Sequence, residues 1–153
     1  MLVACSARQI KQTTALPAAE GPLGPAAIRI YPLTHIDAGA DGKPVIVCHV
    51  ELRDRFGDSV KGLGVVEMQL LRAPSPLPQQ SWEIDLGELS KNAELYDRST
   101  RTYRFQLGDL PAWMTPKGEG LGTLRLRATY TPLGGQHDAS AMSAYRDEYQ
   151  LSK

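Results

Sequence analysis

The sequence predicts an all-β domain folded as a single antiparallel sandwich of two sheets, and three observations carry that prediction. Apolar and polar residues alternate with a period of two in seven separate short runs, the spacing of strands that bury one face and wet the other. The runs are divided by clusters of Gly, Pro, Asp and Ser, residues whose backbone and side-chain chemistry turns a chain. The size suits one such unit, since 153 residues with 42% hydrophobic content supply a single core of common domain size and a tail.

The elements follow in order. Ile28 and Ile30 alternate with Arg29 and Tyr31, and the run ends before Ala38-Gly39-Ala40-Asp41-Gly42-Lys43-Pro44. In the second run Ile46, Cys48, Val50 and Leu52 share the core face, while His49, Glu51 and Arg53 share the polar face, so His49 is expected to be exposed or at an edge. Val66, Met68 and Leu70 form the third run, after which Pro74, Pro76 and Pro78 block pairing because proline lacks the N–H donor. Trp82, Ile84 and Leu86 form the fourth. Residues 86–95 lack strand alternation and predict a short helix, with Asp85 placed to cap its start. Tyr103, Phe105 and Leu107 form the fifth run, Leu124, Leu126, Ala128 and Tyr130 the sixth, and Tyr149 and Leu151, after Gly134-Gly135, the seventh. About seven strands at this spacing is the pattern of an immunoglobulin-like sandwich, with its body at 26–153. Residues 6–25 mix Ala, Gly, Pro and polar residues without either period, which is linker composition, so 1–25 is expected to be a tether.

The stretch Val50-Glu51-Leu52-Arg53-Asp54-Arg55-Phe56-Gly57-Asp58-Ser59-Val60-Lys61-Gly62 resembles the strand-turn-strand of bacterial Ig-like and carboxypeptidase-regulatory-like (transthyretin-like) modules. The chemistry is that of a hairpin, in which Asp54 accepts from backbone amides across the turn and Gly57 tolerates positive φ. This resemblance supports a fold and implies no active site. Separately, Met1-Leu2-Val3-Ala4-Cys5 resembles the end of a bacterial lipoprotein signal, which implies that Cys5 is lipidated and that a basic and an apolar segment precede Met1. Ser6 rather than Asp after that cysteine implies, by the same resemblance, the outer membrane of a Gram-negative cell. A tether of this length, at roughly 3 Å per extended residue, holds a domain well clear of a bilayer.

Composition excludes several function classes. With 17 basic and 17 acidic residues there is no net field to attract nucleic acid, and no run approaches the ~18 apolar residues of a membrane-spanning helix. Cys48 lies in an apolar run and reads as a small buried hydrophobe. With Cys5 and Cys48 the only cysteines and His35, His49 and His137 scattered, no metal-ligand spacing exists. Asp37 with Asp41, and Asp54 with Asp58, do not fit a calcium loop and read as turn formers. His137-Asp138-Ala139-Ser140 holds the residue types of a nucleophilic site without the preorganisation one needs, and Gly118-Glu119-Gly120-Leu121-Gly122 leads into a strand rather than a phosphate-cradling helix. No catalytic residue, metal or cofactor is expected. Trp113 reads as a core plug at the sandwich end, because aromatic burial dominates small cores, with an exposed recognition residue as the alternative.

The function this predicts is a non-enzymatic binding or structural module, lipid-anchored in a bacterial cell envelope. Its expected partners are the membrane, through the lipid, and an envelope protein or glycan. One alternative is a carbohydrate-active or hydrolytic accessory domain using the loop carboxylates Glu88, Glu94 and Asp97, two of which would have to converge in a cleft. The other is a carrier of a small ligand in an apolar pocket. The loops 37–44, 54–62 and 108–121 are expected to gather as a binding surface at the sandwich ends.

Overall fold

The computed structural model of the chain describes residues 23–114, 123–134 and 145–151, and within them lie ten strands and one short helix. One sheet contains β1 (Ala27–Ile30), β2 (His35–Ala38), β3 (Pro44–Arg53), β4 (Ser59–Val60), β7 (Tyr96–Asp97) and β8 (Thr102–Leu107). The other runs β10 (Arg146–Leu151), β9 (Leu124–Pro132), β5 (Gly64–Arg72), β6 (Pro78–Asp85). All pairings are antiparallel. The architecture is an all-β sandwich, as the alternation predicts. All seven predicted runs are strands. The additional three, β2, β4 and β7, are two to four residues long, too short for a period to show.

The core lies between the sheets where the alternating apolar sets meet. Ile46, Cys48, Val50 and Leu52 of β3 are buried there with Met68 and Leu70 of β5, Tyr103 and Phe105 of β8, and Leu126 and Tyr130 of β9. Burial pushes the Cys48 thiol up to about 12, with a weak opposing contact from the Thr34 hydroxyl 3.9 Å away. The outward residues of β9 pair with their neighbours instead, Arg125 and Arg127 both meeting Glu148 of β10.

β3 departs from the one-sided pattern, and with it the expectation for His49 is corrected. Val47, His49 and Glu51, on the outer face, are buried as well. The edge beside β3 explains part of this. β1 pairs with Val50 to Arg53 and β2 with Pro44 to Val47, so the two are one edge strand broken at residues 31–34. Tyr31 donates its N–H to the His49 carbonyl (2.7 Å), and the His49 N–H donates to Thr34 Oγ1 (3.0 Å). The Thr34 hydroxyl thus stands in for the missing ladder bond, which a buried amide requires. His49 Nδ1 meets Thr102 Oγ1 at 3.0 Å, a pairing across to β8.

The β1 and β10 edges guard each other. The Ile30 N–H donates to Asp147 Oδ2 (2.7 Å), and the Tyr149 hydroxyl donates to the Pro32 carbonyl (3.3 Å). Two exposed edges are thereby joined across the sandwich. The predicted helix exists as α1 (Leu89–Leu95), three residues shorter at its start than the sequence suggests, and Glu88 rather than Asp85 occupies its cap position without a side-chain bond. Asp85 Oδ1 instead accepts from the Gly87 N–H (2.7 Å), spending itself on the turn.

The register makes a direct test. Leu126 is fully buried opposite Leu70, whereas Thr129 faces outward with Arg146 across from it. An unpaired buried charge costs several kcal/mol, on the order of the whole ~5–15 kcal/mol stability of a domain. Leu126→Asp is expected to abolish cooperative thermal unfolding, and Thr129→Asp to leave the melting temperature within a few degrees of the parent. Equal melting curves for the two variants would refute the register.

Candidate functional site

The sandwich has two distinct ends. At one, loops 37–44 and 108–114 meet in a cleft lined by Lys43, Pro44, Asp109, Leu110, Pro111, Ala112 and Met114. The 54–62 loop does not join them; it follows β3 and lies at the other end. That turn is built as the sequence predicts, with Asp54 Oδ1 accepting from the Phe56 and Asp58 amides (2.9 and 3.0 Å) and Gly57 at φ +89°.

At this second end lies a groove of about 630 Å³, lined by Leu23, Gly24, Pro25, Lys61, Gly62, Leu63, Leu89, Asn92, Tyr130, Leu133 and Gly134. Its volume falls in the roughly 300–1,000 Å³ range of small-molecule sites. Three of its leucines stay in water: Leu23 is 69% exposed, Leu89 72% and Leu133 57%. Scattered exposed leucines are ordinary, but three around one concavity form a patch that awaits cover. Leu23 to Pro25 come from the stretch the sequence assigns to the tether. They nonetheless pack on the body, since Tyr145 donates its hydroxyl to the Pro25 carbonyl (2.9 Å) and the Ala26 N–H donates to the Arg53 carbonyl (2.7 Å).

The groove floor is a buried polar network that is internally complete. Asn92, on α1, donates both amide hydrogens, to the Gly62 carbonyl (2.7 Å) and the Leu86 carbonyl (2.9 Å). Its Oδ1 accepts from the Tyr103 hydroxyl (3.0 Å), and that hydroxyl accepts from the Gly62 N–H (3.1 Å). The Tyr130 hydroxyl donates to the Leu63 carbonyl (2.9 Å). Burial raises both Tyr103 and Tyr130 above the ordinary phenol range. Among the described residues no buried side-chain polar atom lacks a partner. Gly62 is required here by close approach, because a Cβ on it would lie 2.6 Å from the Tyr130 oxygen and 2.7 Å from Pro25 Cγ.

The sequence-predicted candidates lie elsewhere. Trp113 is half-buried at the opposite end, packed against the core, with the Arg72 guanidinium 4.2 Å above its ring. One indole face is therefore already taken by a cation. Glu88 and Glu94 are exposed. Asp97 is half-buried, and the amides of Ser99 and then Thr100 hold its carboxyl below the ordinary range, with His49 adding to the effect. That shift is opposite to that of a general acid. His49 is lowered by burial first, and by Arg104 and His35, against an upward pull from Asp97. Cys5, residues 6–22, Gly118 to Gly122 and His137 to Ser140 lie outside the described residues. No metal-holding group of three His, Cys, Asp or Glu side chains occurs among the described residues.

The groove residues were not singled out by sequence. The available signal was weak: Leu89 and Leu133 sit outside every alternating run, and Leu133 precedes Gly134-Gly135. The chain matches no family model, no curated protein and no solved structure.

Two tests follow from these networks. Asn92→Ala removes the Asn92 bond to the Leu86 carbonyl and leaves the Gly62 carbonyl and the Tyr103 hydroxyl with only their own 3.4 Å contact and the Gly62 N–H, at roughly 1–3 kcal/mol for each uncompensated group. Urea unfolding is expected to show a loss on the order of 2 kcal/mol or more. For His49, the folded state binds its proton less readily than the unfolded chain, whose value is 6.5. Its contribution to stability is therefore present above that pH and declines as pH falls below it. Melting temperature should fall between pH 7.5 and 5.5, and His49→Gln should flatten that slope; an unchanged slope would refute the assignment.

Proposed function

We propose that this chain is a non-enzymatic binding module of a bacterial cell envelope, an immunoglobulin-like sandwich anchored by lipid on Cys5. Its recognition surface is the groove at the α1 end. The observation that carries this reading is the pairing of exposed Leu23, Leu89 and Leu133 with a floor whose polar side chains are already bonded to one another. Such a surface gains by shedding water from apolar area, and it holds no poised acid, base or nucleophile. The chain enters the described body at Leu23, on the groove rim. Its partners on this reading are the membrane, through the lipid, and an envelope protein or glycan. The hydrolytic alternative draws less support, because Glu88 and Glu94 are exposed and Asp97 is biased toward its ionised form.

Two measurements test the reading. Expressed in a bacterium behind a lipoprotein signal that joins at Ala4, the parent is expected in the membrane fraction and Cys5→Ser in the soluble fraction; equal membrane fractionation would overturn the anchor. For the groove, the neutral dye Nile red is expected to bind saturably at one site per chain. Leu89→Asp and Leu133→Asp should each weaken it at least fivefold without lowering the melting temperature, because both side chains are exposed in the fold. Binding that is absent, or indifferent to both substitutions, would overturn the groove as recognition surface.

A further inference from the structure

We propose that the groove takes a free amphiphile with one apolar chain and one anionic head, of the class of long-chain carboxylates, and that Lys61 holds the head. This rests on the groove being the recognition surface and goes on to name its ligand. Lys61 is the one charged side chain among the described residues lining the groove, whose remaining walls are leucine, proline, glycine and the engaged Asn92 and Tyr130. Its ammonium lies 4.6 Å from the centroid of the Tyr96 ring, an aromatic face that leaves its positive charge in place. Among the described residues no carboxylate lies within ion-pair distance of it. An apolar trough with a single unneutralised cation at its edge is complementary to a molecule with a long apolar body and one negative end.

The floor argues against a peptide as the occupant. An extended peptide brings an N–H and a C=O with every residue, and each must find a partner once water is excluded. The polar side chains of the floor are spent: both Asn92 amide hydrogens go to the Gly62 and Leu86 carbonyls, and the Tyr130 hydroxyl goes to the Leu63 carbonyl. An alkyl chain makes no such demand. Its burial against Leu23, Leu63, Leu89 and Leu133 releases water from both surfaces, and the head needs only the one charge.

The test is displacement of Nile red from the full chain, with palmitate, hexadecanol and hexadecyltrimethylammonium held below their aggregation limits, and with parent, Lys61→Met and Leu89→Asp proteins. Lys61→Met keeps an unbranched stem of similar length and removes the charge. Palmitate is expected to displace the dye from the parent at least tenfold more effectively than hexadecanol, and the cation to be the weakest of the three. Lys61→Met should bring palmitate and hexadecanol to parity, each read relative to the dye affinity of that same variant, and Leu89→Asp should weaken all ligands together. Dye binding that responds to Leu89→Asp, with no preference for the carboxylate, would overturn the ligand class while the groove stands. Loss of dye binding in every protein would overturn the recognition surface itself. Co-sedimentation with vesicles of phosphatidylcholine and phosphatidylglycerol, together with no binding of monomeric palmitate, would replace the free amphiphile by a membrane surface and so also overturn the proposal.

Discussion

The organisation of the groove end depends on one buried amide, that of Asn92. α1 is seven residues long, has no side-chain bond at its N-cap and buries no residue but Asn92. A helix this short does not persist by its own hydrogen bonds, so its place on the sandwich is set by what that side chain reaches. It reaches three different segments: the Gly62 carbonyl after β4, the Leu86 carbonyl after β6, and the Tyr103 hydroxyl on β8. Both amide hydrogens and the carbonyl oxygen are used, which is the condition under which a buried polar group rigidifies a fold instead of weakening it. Leu89 on α1, and Leu63 and Lys61 beside Gly62, take their positions around the groove from this arrangement.

The same accounting governs β3, the strand with neighbours along nearly its whole length on both sides. Because it is buried on both faces, every backbone group in it must be matched, including the His49 N–H at the break between β1 and β2. Thr34 Oγ1 supplies that match, and His49 in turn meets Thr102, whose hydroxyl lies 2.7 Å from that of Thr100. The outer face of this sheet is thus a chain of hydroxyls and an imidazole under partial cover, not a solvated polar surface. Its buried members act in structure and in the pH response of stability; their hydrogen bonds run to the protein.

Among the described residues the buried polar side chains are bonded internally, and three of the exposed leucines, Leu23, Leu89 and Leu133, gather about one groove. Four of the exposed large hydrophobic residues, Leu23, Phe56, Leu89 and Leu133, belong to the end that contains the chain entry and the turn after β3. The opposite end closes Met114 into the core and sets Arg72 over Trp113. That difference supports the proposed assignment of the groove end to an apolar ligand.

The sequence by itself determined the sheet class, the seven strands of the alternating runs and the face each turns to the core, because a strand's period of two is a local property that each run displays on its own. It also determined the Asp54 turn and Gly57, where the bonds run between residues at most four apart. Only the tertiary structure decided the rest. The burial of His49 depends on what lies over the outer face of β3, and the strands β2, β4 and β7 exist because a longer neighbour offers them a ladder. Glu88 rather than Asp85 stands at the start of α1, and the Asp85 carboxylate accepts instead from the Gly87 amide. The groove was invisible for the same reason. Its residues come from near Leu23, from 61–63, from α1 and from Leu133, segments that share no period and become neighbours only when the two sheets close on one another.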